Sequence, residues 1–140
     1  MISATLGLTA FLVSASITAA HAASVASTPK YLGAYGGHSF STTSYMDDMG
    51  SGYTWQSVSA TGGDAPTGWI GVQAKQYLQN GVLCNSSSTV YNPSPVLNYT
   101  ASTTGNCGLD YHYSMGRGGF YTGSNYSWAT GNPSPYLLLP

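Results

Sequence analysis

GWIGVQAKQYLQNGVLCNSSSTVYNPSPVLNYTASTTGNC, residues Gly68–Cys107, holds the clearest strand pattern, the clearest turn and both cysteines of the chain. From Ile70 the apolar residues alternate as Ile70, Val72 and Ala74, then Leu78 beyond a polar Gln76. Gly71, Gln73, Lys75 and Tyr77 fill the positions between. A period of two marks a strand with one face buried and one wet; a helix needs apolar residues three and four apart. Asn80-Gly81 follows, a pair that tolerates positive φ at both positions and favours a type I′ turn. Val82-Leu83-Cys84 begins the return, so a hairpin is expected at about 69–91.

Cys84 and Cys107 are the only cysteines and stand 23 positions apart. Without a C-x-x-C or a nearby His/Cys cluster, they read as a structural disulfide of an oxidising compartment. Closing a loop of that length is worth about 3–3.5 kcal/mol in the chain-entropy model.

The rest of the chain reads in the same alphabet. Tyr31–Phe40 carries aromatics among glycines and suggests a first strand. Ser41–Gly52 reads as a loop, with Met46 and Met49 flanking Asp47-Asp48. Tyr53–Ala60 is strand-like in composition. Gly62–Gly68 is rich in turn residues. Leu109–Met115 alternates Tyr111, Tyr113 and Met115 against Asp110, His112 and Ser114, which together suggest a solvated polar face. Phe120–Thr122 and Tyr126–Thr130, around Gly123-Ser124-Asn125, suggest a second hairpin with a three-residue glycine loop, and Tyr136–Leu139 a last strand. No segment has a helical period. Strands at this spacing imply an all-β fold, an antiparallel sandwich or small barrel stapled by one disulfide. Asn85–Leu97 and Asn125–Leu137 echo each other through Asn-Pro-Ser-Pro, which reads as a shared device: a strand ends, two prolines force an extended turn, and a strand begins.

At the N-terminus an apolar run from Leu6 to Ala20 ends in Ala20-His21-Ala22, an A-x-A-type cleavage site. Residues 1–22 are therefore expected to be a signal peptide without its basic region, 23–30 a flexible leader and 31–140 one domain, secreted, with no membrane span after cleavage.

Charge is scarce. Only 5% of residues are charged, glutamate is absent, and the cations are Lys30, Lys75 and Arg117. Three cations cannot neutralise a run of phosphates, which argues against nucleic-acid binding, and against anionic membrane surfaces on the same ground.

The order W-I-G-V-Q-A (Trp69–Ala74), Tyr77, N-G-x-L-C (Asn80–Cys84), T-x-G-N-C-G (Thr103–Gly108), Y-x-Y-S-x-G (Tyr111–Gly116), Y-x-G-x-x-Y (Tyr121–Tyr126) and S-P-x-L (Ser134–Leu137) resembles small uncharacterised secreted proteins of Gram-positive bacteria. The resemblance implies a secreted context and no site residues.

Candidate chemistry is thin. Asp110, His112 and Ser114 share a strand face, but neighbours along one strand stand ~7 Å apart and run parallel, whereas triads converge from separate segments. His38, His112, Asp47 and Asp48 would make a metal site only if folding gathered them, and they lack calcium-loop spacing. Asp64 and Asp110 are the remaining carboxylates for glycoside hydrolysis. The sequons at Asn85, Asn98 and Asn125 read as chance in a Ser/Thr-rich chain. No catalytic residue, cofactor or metal ligand is assigned.

The aromatic surplus carries the functional colour. Trp55, Trp69, Tyr77, Tyr111, Tyr113, Tyr126 and Trp128 lie on expected strands. Read conservatively, such rings fill the core and its rim. Read functionally, exposed rings among hydroxyls and amides suit a neutral polysaccharide or a cell-surface partner. The expected function is a secreted, non-enzymatic polysaccharide-binding module. A toxin-like antagonist and a self-associating matrix component are the alternatives.

Overall fold

The structure is a computed structural model and describes residues 23–48 and 52–139; the expected signal peptide lies outside them. It is all-β. The strands in chain order are β1 (Ser24–Ala26), β2 (Lys30–Tyr35), β3 (His38–Asp47), β4 (Tyr53–Thr61), β5 (Ile70–Gln73), β6 (Lys75–Leu78), β7 (Leu83–Ser86), β8 (Val90–Tyr91), β9 (Asn98–Thr104), β10 (Asp110–Ser114), β11 (Arg117–Tyr121), β12 (Tyr126–Thr130) and β13 (Leu137–Leu139). Every strand pairing is antiparallel, and among the described residues the sheets form no closed barrel.

The first sheet runs β3-β4-β9, with β1 and β2 sharing the free edge of β3. The second is built from two four-stranded halves, β13-β10-β6-β7 and β12-β11-β5-β8. These halves are one ribbon. Ser114 faces Gln76 and Arg117 faces Gln73, so the register between β10–β11 and β6–β5 passes unchanged through the break. The Met115 amide donates to the Lys75 carbonyl within it. The alternation seen from Ile70 to Leu78 is therefore that of one bent strand: Ile70, Val72, Ala74 and Gln76 are buried, while Gln73, Lys75 and Tyr77 face outward.

The sheets meet face to face. Phe40 and Phe120 stack across the interface at 4.9 Å, within a cluster that includes Val58, Ala60, Ile70, Val72 and Ala101. Offset-stacked rings add about 0.5–1.5 kcal/mol to their area burial. A Cβ on Gly118 would come within 2.7 Å of Val58 and 2.9 Å of Thr42, so the absence of a side chain there lets the sheets close. Cys84 and Cys107 form the disulfide. It joins β7, at the edge of the second sheet, to the segment after β9, at the edge of the first.

Several expectations change. Ser41–Asp47 is a strand, not a loop: its inward side chains are Thr42, Ser44 and Met46, so a period of two is present in position but not in hydrophobicity. Ser24–Ala26 pairs with β3, and Lys30 opens β2, so part of the segment expected to be a flexible leader is tied into the sheet. Serine and alanine gave no apolar pattern there, but the edge of β3 supplied backbone partners. At Asn80-Gly81 only Gly81 has positive φ (87°), since no described non-glycine residue does. The Gly81 amide donates to the Leu78 carbonyl, and the Leu78 amide to that of Val82. This is the three-residue loop with a bulge glycine, not a type I′ turn. The later hairpin tightens instead. Thr122 donates to the Asn125 carbonyl, leaving Gly123-Ser124 as a two-residue turn with Gly123 at φ 98°.

Candidate functional site

On β10 the faces are the reverse of the expected ones. His112 and Ser114 are buried, and Tyr111, Tyr113 and Met115 point outward. The polar residues go inside because the matching part of the first sheet is polar too. Gln56 is fully buried; its Oε1 accepts from Ser44 Oγ (2.7 Å) and the Gly116 amide (3.0 Å), and its Nε2 donates to Thr42 Oγ1 (2.6 Å). The aromatic side chains that a hydrophobic interior would have absorbed are displaced to the outer surface.

Two aromatic groups result on the outer face of the second sheet. In the first, Tyr77 and Tyr113 stack across β6 and β10 at 5.3 Å, and Tyr136 meets Tyr113 edge-on at 5.6 Å. Tyr113, Met115, Pro133, Ser134, Pro135 and Tyr136 line an open groove of about 300 Å³. The Asn132-Pro133-Ser134-Pro135 turn supplies one wall; it is pinned by the Ser134 amide donating to the Ser114 carbonyl, and the Ser114 amide to Ser134 Oγ. Burial, then the neighbouring phenols of Tyr136 and Tyr77, hold the Tyr113 hydroxyl above the ordinary tyrosine pKa.

The second group lies on the same face, about 20 Å along the strands by the rise of six residues. Trp128 spreads over Gly119 and Gly71, where a Cβ would come within 2.7 Å and 2.5 Å of the indole. Tyr126 and Tyr91 flank it at 6.1 Å and 6.2 Å, and the Tyr126 hydroxyl donates to the Gly68 carbonyl. The Arg117 guanidinium stands 4.4 Å from the indole centroid. Its Nε donates to Gln73 Oε1 and a terminal nitrogen to Thr89 Oγ1, both at 2.9 Å. Burial, then Tyr91 and Tyr121, raise the Tyr126 hydroxyl as well.

The seven aromatics singled out from the sequence are thus not one site. Tyr77 and Tyr113 share the groove group, and Tyr126 and Trp128 the indole group. Trp55 lies on the opposite outer face, stacked on Tyr45 at 5.0 Å beside Tyr53. Trp69 closes the end of the sandwich against Tyr35, His38 and Tyr121 and packs on the core. Tyr111 is 46% exposed at the edge of the groove face. Against the conservative reading, rings in the core and its rim, Trp69 packs on the core and none of the seven is fully buried. The sequence reading missed Tyr91, Tyr136, Tyr45 and Arg117. The alternation of Tyr136 and Leu138 against Leu137 and Leu139 was a legible signal for Tyr136.

The candidate chemical groups stay apart. His112 Nδ1 donates to the backbone carbonyl of Asp110 (3.0 Å), while the Asp110 carboxylate accepts from the Tyr111 amide, so no acid–imidazole pair forms. Asp64 sits exposed in the connector before β5. His38, on β3 of the first sheet, packs by Trp69 while His112 lies on β10 of the second, and no cluster of three metal-ligating residues occurs among the described residues.

Comparison with protein families, characterised proteins and solved structures finds no match. The outer face of the second sheet brings together two ring groups and a groove on a ribbon with one register.

Proposed function

We propose that this protein is a secreted, non-enzymatic module that binds a cell-wall or extracellular polysaccharide through the outer face of its second sheet. The supporting observation is the inversion of faces: the chain buries Gln56, Gln76, His112 and Ser114 while leaving Tyr77, Tyr91, Tyr113, Tyr126, Trp128 and Tyr136 outside. Large apolar rings outside and hydrogen-bonding groups inside run against the usual preference; a surface that stacks on sugar rings accounts for the outer half of that arrangement. Secretion fits the Cys84–Cys107 bond, which oxidising compartments sustain.

The test is retention of the secreted product of the full chain on insoluble cell walls and a panel of polysaccharides. Retention on one polymer, reduced about tenfold by Tyr113→Ala or Tyr91→Ala, is expected for side chains acting as binding anchors. Recovery wholly in the supernatant removes the reading.

A second reading has its own observation. Leu83 on β7 and Leu138 on β13 are exposed on the edge strands of one half of the second sheet, neither of which carries a charged residue, where sheets usually carry lysine or proline to prevent pairing. Self-association would appear as salt-insensitive, concentration-dependent light scattering.

A further inference from the structure

Two of the chain's three cations stand between the two ring groups. Lys75 and Arg117 both point outward from the second sheet, in adjacent rows of the register: Lys75 opposite Met115, Arg117 opposite Gln73. Sheet geometry puts such diagonal neighbours roughly 7–8 Å apart. The register places no acidic residue on this face. Asp110 falls in the inward row, Asp64 in a loop, and Asp47 and Asp48 at the end of β3 in the other sheet.

Arg117 is fixed without being neutralised. Its partners are the amide of Gln73, the hydroxyl of Thr89 and the face of Trp128, all uncharged. A planar guanidinium held in one orientation by neutral groups keeps its charge and its remaining N–H donors for an anion. In a chain with 5% charged residues, both cations of this face flank the Tyr113–Tyr136 groove on one side and the Trp128 group on the other.

We infer that the ligand is an anionic glycan, laid along the strand direction. Its sugar rings would sit on the two aromatic groups, and a carboxylate- or phosphate-bearing unit between them over Lys75 and Arg117. The inference rests on the polysaccharide reading and narrows it, replacing the neutral polymer expected from composition. Two ring subsites about 20 Å apart act as linked sites only for a chain that reaches both, so affinity should climb steeply once the oligosaccharide spans them.

The experiment compares binding of the secreted protein to polygalacturonate, to a phosphate-bearing wall polymer and to a neutral β-glucan, at low and high salt. Wild type, Lys75→Gln and Arg117→Gln are measured, with circular dichroism confirming that the variants fold. Lys75→Gln removes only an outward side chain and carries the test if Arg117→Gln fails to fold. The expected result is preference for one of the two anionic polymers, at least tenfold weaker in high salt, and a severalfold loss in Lys75→Gln confined to that polymer. Whichever anionic polymer binds tells carboxylate from phosphate. Equal binding of the neutral glucan, or Lys75→Gln indistinguishable from wild type, overturns the anionic inference and leaves the polysaccharide reading standing. No retention on any polymer overturns both.

Discussion

At one end of the sandwich, Phe40, Val58, Ala60, Ile70, Val72 and Phe120 make a close-packed hydrocarbon interior. At the other end, the same strands turn Ser44, Thr54, Gln56, Gln76, His112 and Ser114 inward, with Met46 and Leu139 among them. The first end is held by area removed from water and by ring stacking. The second is held by named hydrogen bonds: Gln56 to Thr42, Ser44 and Gly116, and Gln76 Nε2 to the Gly105 carbonyl at 3.0 Å. Not all of its polar atoms are matched. Thr54 Oγ1, Gln76 Oε1, His112 Nε2 and Ser114 Oγ find no hydrogen-bond partner among the described residues. A hydrocarbon interior tolerates many sequences of the right volume, whereas a polar one depends on a few directional contacts. The two ends should therefore fail differently.

The largest expected effect tests that dependence. Gln56→Leu adds apolar surface but strands the Gly116 amide and the Ser44 hydroxyl, and takes a donor from Thr42, whose own hydroxyl still donates to the Ser57 carbonyl. At about 1–3 kcal/mol for each buried group left unpaired, the variant should lose about 3–5 kcal/mol in denaturant unfolding. A variant as stable as wild type would show that the polar end is held by packing after all.

Next comes the disulfide, which clamps the edges of both sheets beside the polar end. Asn85, adjacent to Cys84, donates to the Thr104 carbonyl, and Gly105 accepts from Gln76. Reducing it, or replacing both cysteines by alanine, should cost about 3–3.5 kcal/mol for a loop of this length. Amide exchange should then rise in β7, β9 and β10 while β3 residues near Phe40, and β5, stay protected. Uniform acceleration would mean that the two ends open as one unit.

The smallest effect sharpens the contrast between interior and surface. Tyr113 and Tyr126 are held above the ordinary tyrosine value of about 10 by burial and by neighbouring phenols. A raised acid pKa means the folded state keeps its protons longer than the unfolded one. The stability this contributes is complete below about pH 10 and is lost as pH rises through the folded values. Ultraviolet titration should show the native phenols lagging behind those in denaturant, with less lag in Tyr136→Ala. Superimposed native and denatured curves would refute it.

The contrast also decides what could be read from the sequence. Ile70–Leu78, Tyr53–Ala60 and the Phe120–Thr130 hairpin were legible because hydrophobic alternation or β-rich composition followed the pleat. Ser41–Asp47 was not, because two of its three inward residues, Thr42 and Ser44, are hydroxyls bonded to Gln56, a partner many positions away. On β10 the alternation was visible but its direction was misassigned: the rule that rings go in and imidazoles go out fails where the facing sheet is polar. Tyr77, Tyr113, Tyr126 and Trp128 were named from composition and Tyr91 and Tyr136 were not, and the division into two groups depends on cross-strand register. Arg117 gave no signal, since only the fold shows it lying between neutral partners on the Trp128 ring.

The unbroken register of the second sheet has an evolutionary consequence. Side chains on its outer face, such as Gln73, Lys75, Tyr77, Thr89 and Tyr91, can be exchanged one at a time without disturbing the interior. That leaves binding preference free to diversify on a constant scaffold. Loss or gain of a single residue between Ile70 and Leu78 is another matter: it would trade the two faces from that point on, bringing tyrosine and lysine into the core. Lineages carrying this fold should vary here by substitution, with changes of length confined to the loops.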